Sequence, residues 1–318
     1  MLALQRIVPI LCLLNATISA AIAPGEFPID ELKWLTAGSN RLAALTLAPA
    51  ECLTRSKDPS QAAQISLGRI AFRSPVLLGG IAARSGMSCD SCHRNGHDNP
   101  HFSISGVSDK PGTVDVTGSL FSLTRDDGVF NPVPIPDLVD AATEPPFGSI
   151  LPMGELRSFL RVVIVDEFQG SSPSMAILEG LLAYVNALRS SACPQNREAS
   201  IDADQALRDL ESTYDAIDWS LNHQDAETAE FALLSLRASL GRVHQRVLPG
   251  EAVAEQLLKI SVALTPVRSK LKSHPVAARA ALQESRRSMR TALRVLIEAP
   301  SKSFYDPETL GRALDETP

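Results

Sequence analysis

The sequence predicts a mainly α-helical protein, with a loop-rich first half followed by an up-down four-helix bundle. Ala and Leu are abundant and aromatic residues make up only 5% of the chain, a composition that favours helix over sheet. Residues 94–152 are rich in Gly, Pro, Asp and Ser, and their prolines remove amide donors and fix φ, so this stretch is predicted to be extended loop. Residues 202–299 contain four runs of apolar residues at i, i+3, i+7 spacing, which is typical of helices.

The second half of the chain has short breaks between its four apolar periods. They fall at residues 223–225, 248–250 and 273–275, and short connections make neighbouring helices antiparallel. Pro266 lies within the third period and predicts a kink there. The first period is acidic on one face and the fourth is basic, so we expect these two helices to lie side by side.

Two further helices are predicted before the bundle. One runs from Gly154 to Phe168, and the other is capped by Ser174 and ends at Leu188. Hydrophobic residues make up 44% of the chain, enough to form a core. The net charge of −6 argues against nucleic acid as a partner, because phosphate binding needs clustered positive charge.

The first residues have the pattern of a secretory signal peptide. Arg6 precedes the apolar run Ile7–Leu14, and Ser19–Ala21 supplies small residues suited to cleavage. The apolar run is too short to span a bilayer, and no later segment offers 18 consecutive apolar residues. We therefore expect a periplasmic or otherwise exported protein with no membrane span in the mature chain. The alternative is that the apolar run forms the first helix of the mature fold.

Two of the five cysteines lie in a motif that is typical of covalent haem attachment. The motif is C-x-x-C-H, here Cys89-Asp90-Ser91-Cys92-His93. Two intervening residues place the sulfurs one turn apart, so each can add to one vinyl group of a haem. The adjacent His93 then directs its imidazole at the iron. The sequence therefore predicts one covalent haem c, with His93 as the proximal iron ligand.

A C-x-x-C pair can also belong to a zinc site or act as a redox-active dithiol. A zinc site would need two more ligands at suitable spacing, for which His97 and His101 are the candidates. A redox-active dithiol would need a βαβ context, and the surrounding sequence does not have one.

Cys52 and Cys193 are the remaining cysteines of the predicted mature chain, and they flank the motif. Exported proteins fold in an oxidising environment, so we expect a disulfide that ties the start of the haem-binding segment to its end. The alternative is two separate buried thiols.

The segment that contains the motif also resembles a known family. The matching residues before the motif are Leu67-Gly68-Arg69-Ile70-Ala71-Phe72 and Pro75, and those after it are Thr117–Phe121. On these residues the segment Leu67–Leu188 resembles the bacterial di-haem cytochrome c peroxidase and MauG superfamily. Leu181–Leu188 is similar to the closing helix of class I-like cytochrome c domains. Members of the superfamily have two haem domains, whereas this chain has one C-x-x-C-H motif.

The second axial ligand of the iron separates the possible functions. His/Met coordination suits electron transfer, whereas an open iron suits ligand binding or peroxide activation. Met153 follows His93 by an interval close to that of small class I cytochromes, so it is the candidate distal ligand. Alignment with the peroxidase family instead gives Met153 a packing role. His97, His101 and Met175 are further candidates, and an open or water-bound iron is the remaining possibility.

These observations predict an organisation of five segments. They are a signal peptide at 1–21, an N-terminal entry segment at 22–60, a cytochrome c-like haem domain at 61–195, a four-helix bundle at 200–300 and a C-terminal tail at 301–318. The expected function is electron transfer with an unidentified redox partner protein, rather than enzyme catalysis. The alternatives are a peroxidase-like oxidoreductase with an open haem site, or a haem-based sensor or scaffold.

Overall fold

A computed structural model describes residues 27–36, 39–148 and 152–316 of the protein. Within these residues the fold is mainly helical, with only short strands, as the composition predicts. The predicted signal peptide, residues 1–21, lies outside the described part. No helix in that part combines the length and the apolar character needed to cross a membrane.

The N-terminal region comprises residues 27–200 and has short helices separated by long loops. Its helices are α1 (Arg41–Thr46), α2 (Pro59–Phe72), α3 (Gly80–Arg84), α4 (Cys89–Cys92), α5 (Leu156–Val162) and α6 (Met175–Ala187). Ser174 caps α6 as predicted, because its side chain accepts a hydrogen bond from the Ile177 amide. A π-helical turn, Val163–Glu167, continues α5 and completes the helix predicted for this stretch.

Helices α2 and α6 cross in direct backbone contact. A Cβ added to Gly68 would lie 1.9 Å from the carbonyl oxygen of Gly180, so position 68 requires the absence of a side chain, whereas a Cβ added to Gly180 would lie 3.1 Å from the Gly68 amide nitrogen. Phe72 and Tyr184 pack beside this crossing, with ring centroids 5.1 Å apart. The close approach explains why a glycine, Gly68, lies in the interior of α2.

The loops of the N-terminal region are fixed by two small antiparallel ladders. Strand β1 (Leu47–Pro49) pairs with β4 (Glu198–Ser200), which brings the two ends of the region together. Strand β2 (Thr113–Val114) pairs with β3 (Val133–Pro134) inside the long Pro/Gly-rich segment. The described residues between 94 and 152 are otherwise mostly irregular, as the sequence predicts.

The C-terminal helical region comprises residues 203–298 and is regular. Its helices are α7 (Ala203–Asn222), α8 (Ala226–Gln245), α9 (Ala252–Ala263), α10 (Thr265–Ser273) and α11 (Pro275–Glu298). Asp202 and Asp225 cap α7 and α8 by accepting hydrogen bonds from amides one turn into each helix. One apolar core, contributed by all five helices, fills the space between them.

The third apolar period forms two helices instead of one kinked helix. Helix α9 ends before Leu264, and Pro266 occupies the first turn of α10. Proline is tolerated in a first turn because the amide it lacks would have no partner there. The proline therefore starts a new helix at this position.

Helices α7 and α11 lie against each other, as their charges predict. The Arg286 guanidinium is 2.5 Å from Glu211 and 2.7 Å from Asp215, while Arg290 lies 2.6 Å from Glu211. Such partly exposed ion pairs add little stability, about 0–1 kcal/mol each, so their main effect is to favour this neighbour arrangement.

The segment predicted to be a C-terminal tail contains a further helix, α12 (Pro307–Asp315). It packs against α1, and Leu310 and the preceding Phe304 are buried with Ile29 and Leu45. The entry segment and the end of the chain thus share one small core.

The two regions are joined by buried polar contacts. The hydroxyl oxygens of Ser66 in α2 and Ser212 in α7 lie 2.8 Å apart. Those of Ser74 and Ser235 are the same distance apart. Arg69 bridges the interface, since it contacts Glu51 at 2.8 Å within the N-terminal region and Asp209 of α7 at 2.6 Å.

Candidate functional site

The C-x-x-C-H motif forms a single helical turn, α4, with His93 directly after it. The Ser88 amide donates to the Ser91 hydroxyl at 3.1 Å, and the Ser88 side chain accepts from the Ser91 amide, which makes a capping box. The His93 amide donates to the Cys89 carbonyl at 2.9 Å. These bonds hold the two cysteines one turn apart, which is the spacing that the predicted attachment requires.

The ring of His93 is oriented by a carbonyl from the Pro-rich loop. Its Nδ1–H donates to the Pro136 carbonyl oxygen at 2.9 Å, which leaves Nε2 as the nitrogen available to a metal. Burial lowers the pKa of this imidazole, while the bond to Pro136 opposes the shift. The neutral ring is the form that binds iron.

Cys89 and Cys92 pack against an apolar cluster drawn from several loops. Its buried members are Trp34, Leu78, Ala82, Met87, Phe102, Val107, Val114, Phe121 and Ile135. Burial raises the pKa of the Cys89 thiol to about 12 and raises that of Cys92 as well. Both cysteines are thus half-buried, with this apolar cluster beside them.

The predicted disulfide between Cys52 and Cys193 is present, with the sulfurs 2.01 Å apart. It closes a loop of 141 residues that contains the whole motif. His97 lies beside it, with Nε2 3.5 Å from the Cys52 sulfur and Nδ1 2.7 Å from an Asp137 carboxylate oxygen. His97 thus has partners on both ring nitrogens, next to the disulfide.

Met153 is partly buried and follows residues 149–151, which lie outside the described part. Its backbone pairs with Phe147 through two hydrogen bonds of 2.7 and 2.8 Å. The Phe147 ring in turn packs on Phe159, with centroids 6.4 Å apart. These contacts place Met153 at the start of α5, and its role as distal ligand stays a prediction.

Sequence reasoning did not identify Glu167, a buried carboxylate at the end of the π-helical turn. Burial raises its pKa to about 7, although Arg125 forms a close ion pair with it and opposes the shift. Its charge also acts on both motif cysteines, and the next residue, Phe168, packs against their apolar cluster. No motif surrounds Glu167, so only the fold shows that it lies near the site.

Metal binding of another kind finds little support in the described residues. They contain no group of three or more His, Cys, Asp and Glu side chains that could hold a metal ion, such as the zinc site considered for the motif with His97 and His101. The donor set around α4 is instead two cysteines and one oriented imidazole, which fits a covalently attached haem.

Comparison of the chain with protein-family models, with curated proteins and with solved structures found no match in any of the three. The resemblance to the di-haem peroxidase and MauG superfamily therefore depends on the residues quoted for it.

Proposed function

We propose that the protein is an exported monohaem c-type cytochrome that transfers electrons through one covalently bound haem. The observation that carries this proposal is the His93 ring, fixed by the Pro136 carbonyl at 2.9 Å directly after the helical turn of Cys89 and Cys92. A redox-active dithiol gives no reason for this arrangement, and a zinc site would need further ligands, which no cluster of His, Cys, Asp and Glu in the described residues supplies. An iron ligand needs it, because the bond to Nδ1 sets the tautomer and the direction of Nε2.

Each residue of the site has a defined role in this proposal. Cys89 and Cys92 form the two thioethers, and His93 provides the proximal ligand. The apolar cluster that includes Trp34 and Phe102 keeps water away from the site. When bound, the haem supplies one-electron chemistry at its iron. The acceptor or donor is a redox partner protein.

The finer assignments belong to the same proposal. Residues 61–195 would be a class I-like cytochrome c domain related to the di-haem peroxidase and MauG superfamily, and residues 200–300 an up-down four-helix bundle. Met153 would be the distal ligand, giving the His/Met coordination that suits electron transfer. Replacing Met153 with Leu would then abolish a near-infrared Met-to-iron absorption band, while Met175→Leu, at an exposed position, would leave the band unchanged.

The principal test compares two double substitutions in exported protein. C89A/C92A should contain no haem that survives denaturing electrophoresis and haem staining. C52A/C193A also removes two cysteines but leaves the motif intact, so it should keep covalent haem. Haem staining of C89A/C92A at the wild-type level would contradict the proposal.

Glu167 favours a second candidate, a peroxidase-like oxidoreductase. A carboxyl group with a pKa of about 7 can take up and release a proton at neutral pH, as general acid–base catalysis requires. In that case E167Q would lower the rate of peroxide reduction with an added electron donor and leave haem attachment intact. The exposed Glu144→Gln is the control. No peroxide turnover by the wild-type protein would exclude this candidate.

A further inference from the structure

A cavity of about 550 Å³, with many charged residues on its walls, lies between the motif helix and the C-terminal helical region. Asp90 and Ser91 of α4 line one side, on the face of the turn that the two cysteines do not use. Arg242 and Ser239 of α8 line the opposite side, together with Asp209 of α7. The cavity is thus built by both regions, and its walls carry five arginines among several carboxylates.

Six carboxylates line the cavity, and three of them each lie close to two of its arginines. Glu51 lies 2.8 Å from Arg69 and 3.1 Å from Arg73. Glu31 lies 2.8 Å from Arg246 and 3.5 Å from Arg94.

The third paired carboxylate is Asp209 of α7. It lies 2.6 Å from Arg69 and 3.3 Å from Arg73. Four of the five arginines on the cavity walls, Arg69, Arg73, Arg94 and Arg246, are therefore engaged with carboxylates of the protein.

Arg242 is the exception among these arginines. Within the described residues its one recorded hydrogen bond goes from Nη2 to the Ser239 hydroxyl at 2.9 Å, and it makes no ion pair. Burial lowers the pKa of its guanidinium, and the carboxylates of Glu31, Asp90 and Asp209 only partly oppose this. A half-buried guanidinium that no carboxylate contacts keeps hydrogen-bond donors for water or a ligand.

We propose that this cavity binds a small oxyanion, a carboxylate or phosphate monoanion, which pairs with Arg242. The planar guanidinium suits an oxyanion, since it can donate two parallel hydrogen bonds. The surrounding carboxylates disfavour ligands with higher negative charge, whereas the serine and amide groups on the walls suit ligands with hydroxyl substituents. The proposal does not depend on the haem, because none of the contacts that carry it involves the motif cysteines or His93.

The test is isothermal titration of the full-length, exported protein with lactate and, separately, with inorganic phosphate, both at constant ionic strength. Lactate represents a carboxylate source and phosphate an inorganic one. We expect saturable binding of at least one probe. R242Q should weaken that binding about tenfold or more, because it removes a charge-assisted pair. R237Q is the matched control, since Arg237 is on the same helix but does not line the cavity.

Thermal unfolding controls for structural damage. R242Q should unfold close to the wild-type temperature without ligand, since Arg242 makes no ion pair within the described residues, and the probes should no longer stabilise it. A crystal structure of the wild-type protein grown with the bound probe gives a second readout that needs no variant, with density in contact with the Arg242 guanidinium. No saturable binding of either probe, equal binding by R242Q, or density away from Arg242 would each overturn the proposal.

Discussion

The N-terminal region and the C-terminal helical region are stabilised by different kinds of interaction. The C-terminal helical region has a core made entirely of its own residues, from Ala203 to Leu296, on regular helices with short connections. The N-terminal region instead has two smaller clusters, long loops, a disulfide and two short ladders. This difference indicates that the helical region is stable by itself, whereas the region around the motif relies on cross-links and on the group that we propose it binds.

The largest difference expected between the two regions is in whether each folds as an isolated fragment. A fragment of residues 202–299 should be helical by circular dichroism and unfold cooperatively, because every buried residue of its core lies within the fragment. A fragment of residues 27–200 without haem should lack fixed tertiary structure. The comparison fails if the first fragment is unfolded, or if the second gives a cooperative unfolding transition.

Loss of the disulfide should affect one region strongly. C52A/C193A should destabilise the N-terminal region by about 2–5 kcal/mol, because the bond restricts a long loop of the unfolded chain. Hydrogen exchange measured by mass spectrometry can follow the two regions separately. Faster exchange is expected around residues 94–148 and not in α8 or α11. Equal acceleration in both regions would contradict the independence of the helical core.

The stability that Glu31 of the entry segment contributes through its ion pairs with Arg246 and Arg94 should depend on pH. Burial opposes ionisation of Glu31, but Arg246 and Arg94 outweigh it and lower its pKa from 4.5 to about 2. Because the folded pKa is the lower one, the contribution is fully present above pH 4.5 and is lost as pH falls towards 2. The excess unfolding free energy of wild type over E31Q should therefore shrink between pH 6 and pH 3. The exposed Glu144→Gln control should show no comparable change, and a constant excess would contradict this account.

The smallest effect is expected inside the helical region. Glu211 and Arg290 form a partly exposed pair, so a double-mutant cycle with alanine should give a coupling free energy of about 0–1 kcal/mol. The coupling should decrease at high salt. A value of several kcal/mol would mean that surface charge, and not the apolar core, stabilises these helices.

Helix positions were predicted most accurately where apolar periodicity was combined with a residue that begins or ends a helix. The helices of residues 203–298 follow their apolar periods, and the helix capped by Ser174 ends next to the predicted Leu188. The sequence predicts a kink at Pro266, whereas in the structure this proline lies in the first turn of a new helix. Helix α12 was missed because Leu310 is buried by α1, which is distant in sequence.

The candidate site was predictable only as far as its motif. Cys89, Cys92 and His93 lie together in sequence, and the expectation of export favoured a Cys52–Cys193 disulfide over two separate thiols, which the structure confirms. The contact between His93 and Pro136 joins residues 43 positions apart across an irregular loop, so no local pattern encodes it. The same holds for Glu167 and for Arg242, whose environments are formed by tertiary packing alone.

The most direct test of the central claim is the intact mass of the exported wild-type protein after denaturation and removal of free haem. The account predicts a single species that is heavier than the processed polypeptide by one haem, with the added mass located on the peptide that contains Cys89 and Cys92. A mass equal to that of the polypeptide alone, with both cysteines open to alkylation, would contradict it.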